Sequence, residues 1–264
     1  MNRVDIISGF LVLKEVIAKL SQEEKTGLFT RIGNVNPWYT PESVQQSFDG
    51  IINLLNEAKL KKWVNKYPVI EKSSNVGIIM AGNIPLVGFH DLLCVLISGH
   101  NAVVKLSAQD DILPKFIIEQ LFRINSDFEN RIEVAEKLSD IDAVIATGSD
   151  NSSRYFHKYF SHIPHIIRKN RTSVAVLNGS ETNQDLSNLG ADIFTYFGMG
   201  CRNVSKLFIP EGFDLTNLID HLEHYSAIAN HPKYFNNYEY NKAIYLVNRI
   251  EHLDNGFALF SQSQ

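Results

Sequence analysis

From residue 75 to residue 160 the chain alternates short apolar runs with longer amphipathic ones, and few folds accept that pattern. Val76-Gly77-Ile78-Ile79-Met80, Ala102-Val103-Val104-Lys105-Leu106 and Ile141-Asp142-Ala143-Val144-Ile145-Ala146 each have the length and β-branched content of a buried strand. Residues 86–98, 112–124 and 152–160 carry apolar positions at helical spacing, and Gly99 closes the first of these helices. Apolar strands linked by helices pair in parallel through crossovers, so this region is expected to form a doubly wound α/β sheet. Ligands of such sheets sit outside the carboxyl ends of the strands. That singles out the loops at 81–85, 106–111 and 147–152.

The flanks differ in texture. Residues 5–20 read as a helix, and Asn34-Val35-Asn36-Pro37-Trp38 as a loop. Thr40 and Pro41 start a further helix, a capping hydroxyl followed by proline at the first helical position. Ile51, Ile52, Leu54, Leu55 and Leu60 extend that helix towards Trp63. After the sheet region, Ser173-Val174-Ala175-Val176-Leu177 reads as a strand, residues 185–196 as a helix, 204–209 as a strand, and 214–229 and 237–250 as helices. The expected organisation is an N-terminal helical segment over 1–70, a dinucleotide-binding domain over 71–175 and a second α/β domain over 176–264. Gly256-Phe257-Ala258-Leu259-Phe260-Ser261 reads like a strand cut short, so the second domain is expected to be truncated at its C-terminus.

Composition excludes several function classes. A net charge of −4, with no Lys/Arg run longer than the short cluster Arg168-Lys169-Asn170-Arg171, argues against a nucleic-acid binder. No run of about 18 apolar residues suggests a membrane span, and Met1-Asn2-Arg3-Val4-Asp5 does not open a signal peptide. Two cysteines, Cys94 and Cys201, do not make a disulfide framework and read as reduced thiols of a cytoplasmic protein. His221 and His224 sit three apart on one helix, but with no second ligand pair they read as a solvated face rather than a metal site. Cys94, inside Leu92-Leu93-Cys94-Val95-Leu96, reads as a small buried hydrophobe.

Cys201 is different. It follows Gly198-Met199-Gly200 between a helix and a strand, where a substrate can come close, and a thiolate there can trap an acyl group. The spacing Gly198-x-Gly200-x-x-Asn203 partly mimics a dinucleotide fingerprint, but it follows a helix and lacks the third glycine. Asn83-Ile84-Pro85-Leu86, Lys105-Leu106-Ser107, Thr147-Gly148-Ser149 and Gly198-Met199-Gly200-Cys201 occur in this order along the chain. Together they resemble the Asn-Phe-Pro-Leu, Lys-Pro-Ser, Thr-Gly-Ser and Gly-Gln-x-Cys motifs of the aldehyde dehydrogenase superfamily. The longer runs 81–91 and 198–206 look closer still to the long-chain acyl-CoA reductases, relatives of the fatty-acid reductase of bacterial bioluminescence.

That resemblance, which covers roughly residues 70–260, implies an aldehyde-dehydrogenase-like fold and a set of roles. Cys201 would be the nucleophile, with the Asn83 amide and the Cys201 backbone N–H forming the oxyanion hole. Lys105 would bind the adenosine ribose of the cofactor, Gly148 and Ser149 would line the dinucleotide at a helix start, and Ser107 and Thr147 of the same motifs count among the cofactor-binding residues. Residue by residue, simpler readings stand beside these. Asn83 suits a plain turn before Pro85, Lys105 a solvated strand end, and Thr147-Gly148-Ser149 an ordinary helix entry.

Two departures from the superfamily pattern refine the expectation. The general-base glutamate belongs in a Glu-Leu-Gly-Gly segment, where this chain reads Arg168-Lys169-Asn170-Arg171. Without that base, water is not activated against the acyl-enzyme, which suits reduction of an acyl thioester rather than oxidation of an aldehyde. The acidic residue that would hold a ribose 2′-hydroxyl is Ala108, which suits NADPH over NADH. The expected activity is NADPH-dependent reduction of an acyl-CoA or acyl-carrier thioester to a fatty aldehyde by a homo-oligomeric enzyme, fed by an acyl-transferring partner protein. Reduction of an acyl phosphate, and a non-catalytic cofactor- or partner-binding subunit, are the competing readings.

Overall fold

The computed structural model describes residues 1–262, which form two compact units, one over Met1–Asn170 and one beginning at Arg171. The first unit opens with four helices, α1 (Arg3–Ala18), α2 (Gln22–Val35), α3 (Pro41–Leu54) and α4 (Glu57–Val64). Each is started by its own side-chain cap. Asn2 and Ser21 form reciprocal capping boxes with Asp5 and Glu24, Thr40 caps α3 ahead of Pro41, and Asn56 caps α4. The helix expected to run from Thr40 towards Trp63 is therefore two helices, because the Asn56 side chain accepts the Lys59 N–H and starts the chain afresh. Asn34 and Val35 belong to α2, and the loop begins at Asn36.

A parallel sheet follows, built from β1 (Asn75–Ile79), α5 (Phe89–Ile97), β2 (Asn101–Lys105), α6 (Ile112–Ile124), a 3-10 turn (Ser126–Asn130), β3 (Ile132–Val134), β4 (Ala143–Thr147), α7 (Asp150–Phe160) and β5 (His165–Arg168). Its order is β3-β2-β1-β4-β5 with every pair parallel. The chain leaves β1 towards β2 and β3 and returns on the other side as β4 and β5, so the order reverses between β1 and β4. That reversal is the topological switch point, outside whose carboxyl ends ligands bind. The doubly wound sheet expected from the sequence is present. The helix expected over 86–98 begins only at Phe89, because Leu86 adopts a left-handed backbone (φ 56) inside the loop after β1.

The four N-terminal helices and the sheet share one core, which runs from Ile6 through Phe48 and Leu96 to Ile132. The Phe10 ring meets Phe89 of α5 edge-on at 5.9 Å and Phe128 at 6.1 Å. Gly9 lets α1 come this close, since a Cβ there would lie 2.5 Å from the Phe128 ring.

The second unit contains β6 (Ser173–Val176), α8 (Asn183–Phe194), β7 (Val204–Phe208), α9 (Leu215–Leu222), α10 (Pro232–Val247), β8 (His252–Asp254) and β9 (Leu259–Ser261). β6 and β7 pair in parallel across α8, and β8 and β9 form an antiparallel ribbon. Leu186, Leu189, Phe194, Leu218, Leu222 and Phe257 make its core. The expected helix over 214–229 is α9 followed by a 3-10 segment, Glu223–Asn230, and α10 starts at Pro232, capped by His231, earlier than the expected 237. Among the described residues no helix is long and apolar enough to cross a membrane.

One polar cluster ties α10 to the β8–β9 ribbon. Asp254 accepts from Lys242 (2.7 Å), the Gly256 N–H (2.8 Å) and the Tyr238 hydroxyl. Burial works against its charge, yet the hydrogen bonds from Lys242 and Tyr238 hold the carboxyl at about 2, below its ordinary 3.8. A carboxylate lowered in the folded state stabilises above its unfolded value, and the stabilisation is lost as pH falls through the folded value. Acid unfolding monitored by circular dichroism is therefore expected to steepen from about pH 3.8 down to about pH 2, with Asp254→Asn flattening that limb. Parallel acid limbs for the two proteins would count against this role.

Candidate active site

In the first unit, the loops predicted to carry chemistry all leave the carboxyl edge of the parallel sheet. Ile79 at the end of β1 is in register with Lys105 of β2 on one side and Ala146 of β4 on the other. Asn83 follows β1, Lys105 and Ser107 end β2, and Thr147, Gly148 and Ser149 run from β4 into α7. These six residues thus share one edge, around the switch point between β1 and β4.

The Asn83 turn is held from three directions. The Tyr39 hydroxyl, itself buried, donates to the Gly82 carbonyl (2.9 Å), and Ser47 Oγ donates to the Pro85 carbonyl (2.9 Å). The Leu86 N–H donates to Asp110 Oδ2 (2.8 Å). A Cβ on Gly82 would lie 2.5 Å from Ser107 Oγ, so the β1 and β2 loops are in direct contact and only glycine fits between them. Asp110 is 4% exposed, and burial pushes its carboxyl up to about 7, against the pull of the Leu86 N–H and with a further push from neighbouring Asp111.

The other predicted cofactor residues have defined local partners. Lys105 Nζ donates to the Glu136 backbone carbonyl, and Ser107 Oγ accepts the Gln109 N–H at 3.2 Å. Ser149 caps α7 by accepting the Ser152 N–H (3.2 Å). Gly148 is required by packing, since a Cβ there would lie 2.9 Å from Phe156 and from Ser152. An ammonium and a hydroxyl at the end of β2, with an eleven-residue helix opening at the end of β4, form a donor set suited to a nicotinamide dinucleotide at this edge. A separate cavity of about 470 Å³ lies along α7, lined by Asp150, Ser153, Arg154, His157, Ile167 and Lys169, and none of the predicted residues lines it.

On the same sheet, Arg168 at the end of β5 makes an ion pair with Asp91 of α5 (2.7 and 2.8 Å). Burial opposes the Asp91 charge, but hydrogen bonds from His90 and Arg168 prevail and keep the carboxyl below its ordinary range. The neighbouring His90 is raised to about 10 by its bond to Asp91 and its contact with Cys94 Sγ, 3.6 Å from the ring. Cys94 is half-buried against that ring.

In the second unit, Cys201 is exposed on the loop between α8 and β7. The expected helix over 185–196 ends at Phe194, because Tyr196 (φ 52), Phe197 (φ 58) and Gly198 (φ 73) are all left-handed. Such a backbone costs about 1–2 kcal/mol for each non-glycine residue, so the loop needs strong anchors. Asn203 supplies them. Its Oδ1 accepts the Gly200 N–H (2.8 Å), and its Nδ2 donates to the carbonyls of Asp192 (3.0 Å), Ile193 (3.3 Å) and Thr195 (2.9 Å). Ser173 Oγ donates to the Cys201 carbonyl (3.2 Å). Neither Asn203 nor Asp110 stands out in the sequence as part of a site. The signal that could have found Asn203 is its position two residues after Cys201, next to a helix end whose last carbonyls need partners.

His221 Nδ1 meets the Asn217 carbonyl (2.7 Å), and His224 stacks on Tyr225 (4.1 Å). Among the described residues no group of three or more His, Cys, Asp or Glu side chains could hold a metal ion.

Solved structures share this architecture. An indole-3-acetaldehyde dehydrogenase in complex with NAD+ matches with a TM-score of 0.73 at 12% identity, over 99% of this chain and 62% of that one. An aldehyde dehydrogenase variant from Bacillus cereus matches at 0.64 and 17% identity, over 86% and 50%. An NADP-dependent enzyme of E. coli matches at 0.62 and 12% identity, over 85% and 50%. At these identities the likeness shows the fold, which is that of the aldehyde dehydrogenases, and this chain spans between half and 62% of the length of these three structures. No curated protein matches the chain. The model of one family, described as acyl-CoA reductase (LuxC), matches residues 13–257, and the chain belongs to that family.

Proposed function

We propose that the protein containing this chain reduces a long-chain acyl thioester, such as an acyl-CoA, to the fatty aldehyde through an acyl-enzyme on Cys201, using NADPH. The observation that carries this reading is an exposed cysteine on a strained, side-chain-anchored loop, in a chain of the acyl-CoA reductase family. In this reading residues 71–175 bind the dinucleotide and 176–264 carry the nucleophile, in a cytoplasmic homo-oligomer supplied by an acyl-transferring partner.

The Cys201 thiolate attacks the acyl carbonyl carbon. As the C–S bond forms, the carbonyl electron pair moves to oxygen, where the Asn83 amide and the Cys201 backbone N–H stabilise it. The electron pair returns, the bond to the carrier sulfur breaks, and the carrier leaves as a thiolate that takes up a proton from solvent. A nicotinamide cofactor, when bound, supplies the hydride that reduces the resulting thioester. Lys105 would hold its adenosine ribose, with Ser107 beside it, and the start of α7 would hold its phosphates, while Ala108 would leave room for a 2′-phosphate. The same donors hold the second oxyanion until the bond to Cys201 breaks, which frees the aldehyde and restores the thiolate.

Arg168 stands in the segment where the superfamily's base is expected and is ion-paired to buried Asp91. No carboxylate is then available from residues 168–171 to activate water, in keeping with a reductase. With Arg168 already partnered, the basic cluster has less to offer an acyl phosphate, so we favour the thioester.

Asn83→Ala is expected to lower kcat for tetradecanoyl-CoA about a hundredfold, the effect of removing one oxyanion donor, with NADPH affinity nearly unchanged. Stopped-flow measurement of acylation on the full-length protein checks this. A wild-type acylation rate in the variant would remove Asn83 from the mechanism.

A further inference from the structure

We propose that Asp110 is a positioning residue for the Asn83 turn, acting through the Leu86 N–H and coupling that turn to the β2 loop. The proposal rests on the reading of Asn83 as an oxyanion donor. Its basis is the geometry of a buried carboxylate where packing does not need one.

Asp110 comes from a different loop than the residue it holds. It lies in the tight turn after β2, where its own N–H donates to the Ser107 carbonyl (3.1 Å) and residues 107 and 110 form an isolated bridge. From there its Oδ2 takes the Leu86 N–H at 2.8 Å, while Oδ1 is buried with no hydrogen-bond partner. A buried carboxylate satisfied on one oxygen only is unfavourable for stability alone. It is located where Leu86, three residues after Asn83, must keep a left-handed backbone (φ 56). Tyr39 and Ser47 hold the carbonyls on either side of Asn83, and Asp110, from the β2 loop, holds the Leu86 N–H beyond them. With Gly82 lying against Ser107, one contact region sets both the Asn83 turn and the end of β2. The four N-terminal helices thereby have a part in the site as well, because Tyr39 and Ser47 belong to their segment.

A double-mutant cycle on the full-length protein tests this, reading single-turnover acylation by tetradecanoyl-CoA. Asp110→Ala is expected to slow acylation about ten- to a hundredfold, the range set by small misplacement of a catalytic group. In an Asn83→Ala background the same substitution is expected to change the rate by no more than about twofold, because residues acting as one unit are not additive. Asp110→Asn, which keeps an acceptor for Leu86, is expected to recover most of the rate. Hydrogen exchange in the peptide 80–90 is expected to accelerate about tenfold in Asp110→Ala, since an amide released from its partner exchanges by local opening. Equal losses in both backgrounds, no recovery by asparagine, or unchanged exchange would each overturn the proposal while leaving Asn83 in place. If Asn83→Ala alone acylates at the wild-type rate, the Asn83 reading fails and this proposal fails with it.

Discussion

Cys201→Ala is expected to abolish acyl transfer, lowering NADPH oxidation with tetradecanoyl-CoA by at least about 10⁴-fold, as loss of a covalent nucleophile does elsewhere. In the proposed mechanism the Cys201 thiol is the group that takes up the acyl chain. Hydride transfer to a free thioester would need a polarised carbonyl held in place, and in the proposed mechanism attachment to sulfur at residue 201 would provide that placement. Because the side chain is exposed and its loop is anchored through Asn203 and Ser173, the substitution removes a sulfur without removing an anchor. The unfolding temperature is therefore expected to stay within about 2 °C of wild type, as for surface changes generally. Incubation with radiolabelled tetradecanoyl-CoA should leave an acyl group on wild-type protein and on Cys94→Ala, and none on Cys201→Ala. NADPH consumption that survives the substitution would end the acyl-enzyme mechanism. Absence of label on wild-type full-length protein with every thioester tried would instead favour a subunit that binds cofactor or partner without catalysing.

The sheet was legible where its strands are buried on both faces. Val76-Gly77-Ile78 and Ala102-Val103-Val104 are buried at consecutive positions, so both faces of β1 and β2 are covered, and such apolar runs have little other use. β3 and β5 escaped because edge strands need not be apolar: Ile132-Glu133-Val134 is three residues long, and His165-Ile166-Ile167-Arg168 begins and ends polar. Helix ends were harder than helices. Leu86, Tyr196 and Phe197 are left-handed, with Asp110 holding the Leu86 N–H and Asn203 anchoring the loop of the other two, and nothing in their side chains announces it. The glycines beside Cys201 suggested room for a substrate, and Gly198 has a conformational task as well, with φ at 73. Gly148 similarly answers to Phe156 of α7. The motif residues themselves could be picked out because they resemble a family. The residues that hold them, Asp110 and Asn203, could not, because an aspartate in Asp110-Asp111 and an asparagine before a strand both look like turn residues until the fold brings their partners to them.

Asn203→Ala is expected to damage stability and rate together, which separates it from Cys201→Ala. One amide serves four backbone groups: it accepts from Gly200 and donates to Asp192, Ile193 and Thr195, the last being carbonyls at the end of α8 that have no helical partner. Leaving partly buried groups unpaired costs about 1–3 kcal/mol each. Water reaches some of these groups, so the total is expected near 2–4 kcal/mol. With the anchor gone, Tyr196 and Phe197 can relax from their left-handed backbone, and Cys201, one residue after Gly200, moves with the loop. A shift of about 1 Å at a reacting group lowers the rate about a hundredfold. Asn203→Asp makes the sharper comparison. It keeps an acceptor for Gly200 but turns a donor into an oxygen facing three carbonyl oxygens, so it is expected to unfold at least as readily as the alanine variant. Denaturant unfolding gives the stability, and single-turnover acylation gives the rate. An alanine variant with wild-type stability and acylation would show that the loop keeps its shape without Asn203, and that the strain at Tyr196 and Phe197 is balanced elsewhere.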